Sequence, residues 1–311
     1  MIEAAAVRTA QLRVFMDTAV HMEAWSRDPE AARAAISRAF NWFHLVETSC
    51  SRFDSTSELS RLSSTVDVPV PVSELLFQLL QVALVIAEIS GGAFDPTVGD
   101  AMVRAGFRYA YRNGASSSPR GATDSAPAGR VSYRDIVLDP EQRTVTLRAP
   151  MTLDLGAIAK GLAVDLASRE LHAFPNHIVN AGGDIVARGA PPGEAAWPME
   201  IRDPLAPDRA YRVLHVRDLA VCTSGGYLRR RPDGAEGHHI IDRASGGSPR
   251  LLASATVLAT SAAVADALAT AVYVLGPARA LPMLAHFEVE ALLIDPGGAA
   301  IETPGLRAAI G

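Results

Sequence analysis

The chain has 311 residues, 49% of them apolar and 20% charged, with a net charge of −5. That length can bury one large core or two medium ones, and the composition excludes disorder of the chain as a whole. The mild negative charge argues against a general nucleic-acid surface, and Cys50 and Cys222 are too few for a disulfide framework. No basic segment followed by an apolar run opens the sequence, so a cytoplasmic, unexported chain is expected. Residues 251–276 carry Asp266 as their only charge. A charge at mid-span is costly in lipid, and the stretch reads as a buried strand followed by a buried helix rather than a transmembrane segment.

Taken in order, residues 13–25 alternate as a strand would. Asp28 and Pro29 then supply an N-cap and a first helical residue, and Ala32, Ala35, Ile36, Ala39, Phe40, Phe43 and Val46 form one apolar stripe. The spacing predicts an amphipathic helix over 29–48. In SRFDSTSELSRLS (51–63), Ser55 and Glu58 have the spacing of a capping box for a short helix. Residues 73–89 read as a second, nearly all-apolar helix that ends at Gly91 and Gly92. The segment 113–130 is rich in Gly, Ser, Ala and Pro and reads as a flexible surface loop without function. Residues 131–148 hold two short strands.

The stretch LDLGAIAKGLAVD (153–165) is the one around which the chain is organised. An apolar strand start carries Asp154, turns at Gly156, and enters a helix expected to run to about residue 173. Such a turn leaves backbone N–H groups free to hold an anion. The residues alone leave two readings open: an anion site, or a structural ion pair between Asp154 and Lys160. Strand, Gly-Gly turn and strand come next over 177–189, then a largely β middle, a glycine turn at 224–230 and a short strand at 238–242. A buried strand at 256–260 leads to a helix capped by Ser261 and ending at Leu275. Another helix starts at Pro277, and a last strand covers 289–295. Helices and strands mix without regular βαβ alternation and no linker divides the chain, so an α+β fold with mixed sheets in a single domain over 1–311 is expected.

Five glycine-bearing turns, at 91–99, 154–161, 180–184, 223–227 and 238–249, also carry Asp, His or Ser. Together they fit a ligand held largely by backbone, as extended phosphate compounds are. Asp266 and Thr270 are four apart and share one helix face. A carboxylate and a hydroxyl suit a hard cation such as Mg2+; the same spacing is also met by an Asp that pairs locally and a Thr that bonds back to its own helix.

The set AFDPTVG (93–99), LDLGAIAKGLAVD (153–165), NAGGDI (180–185), TSGGY (223–227), HIID (239–242) and ADALATAVYVLG (265–276) resembles the ApbE-type flavin transferases. The motifs stand in the family's order across residues 16–276. The resemblance implies an ApbE-like (T-fold-like) architecture and a Mg2+-dependent FAD:protein FMN transferase. Such an enzyme attaches FMN from FAD through a phosphodiester to a Thr or Ser of an acceptor flavoprotein and releases AMP. It further implies a metal site at Asp266, Thr270 and the carbonyl of Ala157. Ligand contacts are implied at Met16, Phe53, Ala93, Phe94, Asp95, Asp154, Lys160, Gly182, Gly183 and Ser224, and a catalytic role at His239, although His238 beside it is an alternative. Two other outcomes stay open: an FAD pyrophosphatase giving FMN and AMP, and a non-catalytic FAD-binding protein. The chain departs from the family where Met16, Asp17 and Thr18 replace Met-Gly-Thr. Phe53 stands where Tyr is frequent, and Arg243, Ala244, Ser245 and Gly246 replace Pro-Arg-Thr-Gly.

Overall fold

The computed structural model describes residues 5–107, 131–227, 229, 231 and 236–306; the loop expected at 113–130 lies outside the described residues. The chain opens with a hairpin, β1 (Val7–Phe15) and β2 (Thr18–Ser26), where the sequence pattern had indicated one strand over 13–25. Met16 and Asp17 turn the chain with φ of 49° and 59°. Two successive left-handed residues match the twist of a tight hairpin. Asp tolerates that conformation through its short polar side chain, so the turn forms without the family's glycine.

Helix α1 (Pro29–Cys50) buries the expected stripe, and Asp28 Oδ1 accepts the N–H groups of Glu30 and Ala31 at 3.1 and 2.9 Å. Phe40 and Phe43 are fully buried, and each such ring contributes roughly 1.5–3 kcal/mol relative to exposure. Helix α2 (Glu58–Ser63) is capped by Ser57, two residues later than expected. Glu58 is consequently free to reach across to Ser73, the N-cap of α3 (Glu74–Ile89), accepting from its N–H and from its hydroxyl. Between these helices lies the short β3 (Val70–Pro71). Helix α3 ends at Gly91 and Gly92 (φ 61° and 83°), and α4 (Gly99–Arg104) comes after.

Strands β4 (Ile136–Asp139) and β5 (Thr144–Leu147) join β3 in a small antiparallel sheet. Residues 151–155, expected to start a strand, join no sheet among the described residues; the Asp154 N–H bonds the carbonyl of Pro96 at 2.8 Å. Helix α5 (Ala159–Glu170) ends three residues before the expected limit. Then come β6 (His177–Ala181), β7 (Asp184–Arg188), β8 (Trp197–Arg202), β9 (Ala210–Val216), β10 (Ala220–Gly225) and β11 (Ser254–Ala259). Helices α6 (Ala262–Leu275) and α7 (Pro277–Leu284) precede β12 (Glu290–Ile294) and β13 (Ala300–Glu302). The expected strand at 238–242 does not form a named strand among the described residues: His238 is a bridge residue, and an isolated bridge joins Asp242 to Gly247.

The main sheet has eight strands in the order β1-β2-β6-β7-β10-β11-β12-β13, all pairs antiparallel. Helices α1, α5 and α6 cover one face. The hairpin β8–β9 covers the other, through Trp197, Met199, Ile201, Leu214 and Val216 against Val221, Leu258 and Leu292. Strand β11 is therefore buried along its whole length, which explains its unbroken run of small and apolar residues. The architecture is α+β. No helix among the described residues is long and apolar enough to cross a membrane.

Candidate active site

The site is built where the N-terminal ends of α5 and α6 meet. Gly161 permits this approach, since a Cβ there would lie 2.3 Å from the carbonyl oxygen of Ala262. Asp165, one turn on in α5, accepts from the Ser261 hydroxyl and from the N–H groups of Ala262 and Ala263 at 2.7, 2.8 and 3.0 Å. The last residue of the organising stretch thus caps the neighbouring helix, satisfying donors that a helix start leaves open. Asp266, inside α6, accepts from the Gly161 N–H at 3.3 Å. In a regular helix that N–H would bond the carbonyl of Ala157. The Ala157 carbonyl is left available at the mouth of α5, beside the Asp266 carboxylate.

Lys160 lies between two buried carboxylates. Its Nζ pairs with Asp184 and stands 3.5 Å from Asp266 Oδ2. Burial opposes the ammonium charge, but Asp184 and Asp266 outweigh it and hold Lys160 above its ordinary range. Asp266 is pushed up to about 7, first by burial and then by the charge of Asp184, with Lys160 pulling the other way. Two carboxylates thus share one ammonium. One turn along α6, the Thr270 hydroxyl is 3.0 Å from that of Ser224 on β10. Asp266 and Thr270 therefore do present oxygens on one helix face, as their spacing predicts, and Thr270 pairs with Ser224.

The glycine turns converge around this junction. Gly182 and Gly183 have φ of 64° and 104°, and a Cβ at Gly182 would run into the Thr18 hydroxyl at 2.2 Å. That contact brings the hairpin tip bearing Met16 against the turn before Asp184. The Met16 N–H is itself held by Glu47 at 2.8 Å. Ala93 is half-buried, and Phe94 and Asp95 are buried in the turn after α3. Asp95 accepts from the Thr97 N–H and hydroxyl at 2.9 and 2.7 Å and from the Tyr133 N–H at 3.3 Å. It lies 3.4 Å from Arg243 Nε, which ties this turn to the 238–249 loop. Burial still raises the Asp95 carboxyl above its ordinary range.

The ion pair between Asp154 and Lys160 that the sequence left open does not form. Asp154 pairs with Arg52, and its Oδ1 accepts the Gly156 N–H at 2.8 Å. The guanidinium of Arg52 lies over the Phe53 ring, 4.1 Å from its centre, and its Nη2 donates to the carbonyl of Phe107 at 2.7 Å.

His238 and His239 have different surroundings. His238 Nε2 is held by the Pro249 carbonyl at 3.0 Å and the Tyr273 hydroxyl at 3.1 Å, and its ring packs against Gly226. His239 lies edge-on to Phe107 at 6.5 Å, and its buried Nδ1 makes no hydrogen bond. Burial, then the charge of Arg229 and the neighbouring His238, push its pKa down to about 3. Lys160 adds last to the same downward shift.

Sequence reasoning passed over Asp184 and Arg52. Asp184 stood inside the NAGGDI motif, and an acidic residue opening a strand directly after two glycines was the available signal. Arg52 gave only a basic residue beside an aromatic one. Tyr273 and Arg243 gave none, because their partners are distant in sequence.

The ApbE family model matches residues 16–293. The chain is 33% identical over 309 residues to the FAD:protein FMN transferase of Treponema pallidum, covering 92% of this chain and 84% of that protein. It is 30% identical over 247 residues to that of Haemophilus influenzae, covering 76% and 71%. The ApbE protein of Thermotoga maritima has the same fold, with a TM-score of 0.85 at 27% identity over 97% of this chain and 99% of that one. A match carried by sequence and fold together over nearly the whole chain makes this protein a member of the ApbE family.

Proposed function

We propose that this chain is a Mg2+-dependent FAD:protein FMN transferase, moving FMN onto a Thr or Ser hydroxyl of an acceptor flavoprotein and releasing AMP. Membership of a family whose named relatives are FAD:protein FMN transferases supports the transferase activity. The single observation that carries the finer reading is the junction of α5 and α6. There two buried carboxylates share one ammonium, with a hydroxyl one turn away and a helix-start carbonyl relieved of its usual donor.

Those donors fit the cation. They are hard oxygens, and Mg2+ takes one or two carboxylates while leaving positions for water and substrate phosphates. Among the described residues, no group of three or more His, Cys, Asp or Glu competes as a metal cage. Asp266, Thr270 and the Ala157 carbonyl would hold Mg2+, which when bound neutralises pyrophosphate charge.

The remaining chemistry belongs to the chain's own groups. Lys160 and the N–H groups at the start of α5 attract the phosphates, and Met16, Phe53, Ala93, Phe94, Gly182 and Gly183 form the walls against which the rest of FAD lies. In the transfer, the acceptor oxygen forms a bond to the phosphorus on the FMN side. The bond from that phosphorus to the oxygen bridging to AMP breaks, and AMP leaves with that oxygen. The hydroxyl proton passes to a ring nitrogen of His239. Burial keeps the imidazole neutral, so a ring nitrogen is open to accept a hydrogen bond from the hydroxyl and then its proton as the new bond makes that hydroxyl acidic.

The test is the mass of a Thr-bearing acceptor domain after incubation with FAD and the enzyme. Gain of one FMN, abolished by a chelator and restored by Mg2+, is expected. An acceptor unchanged in mass while FAD is consumed would make the chain a pyrophosphatase instead.

A further inference from the structure

Arg52 lies just past the end of α1, and only 5% of its side chain is exposed. The guanidinium presents donors in a fixed fork. Nε donates to Asp154 Oδ2 and Nη2 to the carbonyl of Phe107 at 2.7 Å. Nη1 is buried and makes no hydrogen bond. A buried donor on a charged group is costly without an acceptor, and native folds seldom keep one without use. Both oxygens of Asp154 are already engaged, Oδ1 by the Gly156 N–H and Oδ2 by Arg52. The N–H of Asp154 is anchored on Pro96 in the 93–99 turn.

We propose that Arg52 is a ligand-binding residue: Nη1 donates to an oxygen of bound FAD, and Asp154 acts chiefly by holding the guanidinium in place. The proposal rests on the flavin-transferase reading of the site. Its surroundings fit that role, since the same guanidinium covers the Phe53 ring and fixes the backbone of Phe107, whose ring abuts His239. Arg52 therefore ties the ligand wall to the residue that receives the acceptor's proton. FAD offers two kinds of oxygen to such a donor, the carbonyls of the flavin ring and the oxygens of the pyrophosphate. Lysine cannot substitute for it: an ammonium can pair with Asp154 but cannot serve three separated acceptors at once.

The full chain, as wild type, Arg52→Lys and Arg52→Gln, is titrated with FAD and riboflavin by flavin fluorescence and with AMP by competition against FAD. Each protein is also melted. Arg52→Lys should still fold, because the charge beside Asp154 is kept, and melt somewhat below wild type because the Phe107 carbonyl loses its donor, yet bind FAD at least tenfold more weakly. A parallel loss for riboflavin would assign the acceptor to the flavin ring, and a parallel loss for AMP would assign it to a phosphate. Wild-type affinity in Arg52→Lys would overturn the proposal while leaving the transferase reading intact. A wild-type protein that binds no FAD would overturn both. If neither variant folds, side-chain 15N spectra of arginine in the wild type decide: the Arg52 resonances should move when FAD is added, and unmoved resonances would refute the contact.

Discussion

His238 and His239 are neighbours in sequence with opposite surroundings. The Nε2 of the first is locked between a carbonyl and a tyrosine hydroxyl, whereas the ring of the second lies edge-on to Phe107; the buried Nδ1 of each has no hydrogen-bond partner among the described residues. On the proposed function the chemistry falls to His239, because the Nε2 of His238 is already held in the framework by Pro249 and Tyr273. His239→Ala should slow transfer by about 10²–10⁴-fold, the range of a general base, with little change in melting temperature. His238→Ala should instead lower stability by about 1–3 kcal/mol, as it leaves the Tyr273 hydroxyl and the Pro249 carbonyl short of a partner. Steady-state rates beside thermal melts of both variants check the division. At this scale the sequence was legible in the shared helix face of Asp266 and Thr270, which follows from their spacing. It was silent on pairing: Asp154 turned to Arg52 rather than Lys160, because the partner is chosen by which turns meet in space.

The elements that place these side chains are α5 and α6, tied together through Asp165, which caps the start of α6, and through Lys160 and Gly161 at Asp266 and Ala262. Asp165→Ala removes the acceptor of the Ser261, Ala262 and Ala263 donors. It should cost about 1–2 kcal/mol, in line with loss of a helix cap, and reduce activity through fraying of the helix that carries Asp266. A denaturant titration with an assay in parallel measures both effects. Gly161→Ala is expected to be harsher. The new Cβ falls 2.3 Å from the backbone of Ala262, so the two helices must part and the Asp266 contact with the Gly161 N–H must lengthen. Activity should fall at least tenfold, with a lower melting temperature; wild-type behaviour in both would show that the close approach is dispensable. The helices were legible because caps and apolar stripes are local features. The segment at 151–155 was read as a strand start from its apolar residues, and 238–242 as a short strand flanked by polar groups. Instead, 151–155 is held by the Asp154 N–H on Pro96 and by side chains of Asp100 and Ser63, and 238–242 by backbone bonds from His239 to Arg229 and from Asp242 to Gly247, where scattered bonds replace a ladder. The hairpin turn at Met16 and Asp17 was hidden for the converse reason, since neither residue is glycine.

Across the whole molecule, burial acts first to hold His177, His238 and His239 below the ordinary imidazole range. Unfolded, they titrate near 6.5, so below that pH the unfolded chain binds more protons than the folded one. Their contribution to stability is complete above about pH 6.5 and is lost as the pH falls below it. Asp266, raised by burial, works in the opposite sense between its unfolded value and about 7. The clean test is therefore a difference. His177 is 2% exposed, held by Ser168 and the Phe174 carbonyl, and takes no part in the site. Wild type should lose more stability between pH 7 and 5 than His177→Gln, by at most about 1.4 kcal/mol per pH unit. Equal slopes would mean that His177 does not titrate on unfolding in this range. At the same scale, the convergence of separated glycine turns at one helix junction was anticipated only as a set. No single turn in the sequence carries it, because the eight-stranded order that gathers them is a property of the assembled sheet.

The most direct test of the central claim is release of AMP from FAD in the presence of Mg2+, with and without a Thr-bearing acceptor domain, for wild type and Asp266→Ala. AMP formed in step with acceptor modification by the wild type, and lost in the variant, is the expected result. AMP formed equally without the acceptor, or formed undiminished by Asp266→Ala, would contradict a transferase centred on the α5 and α6 junction.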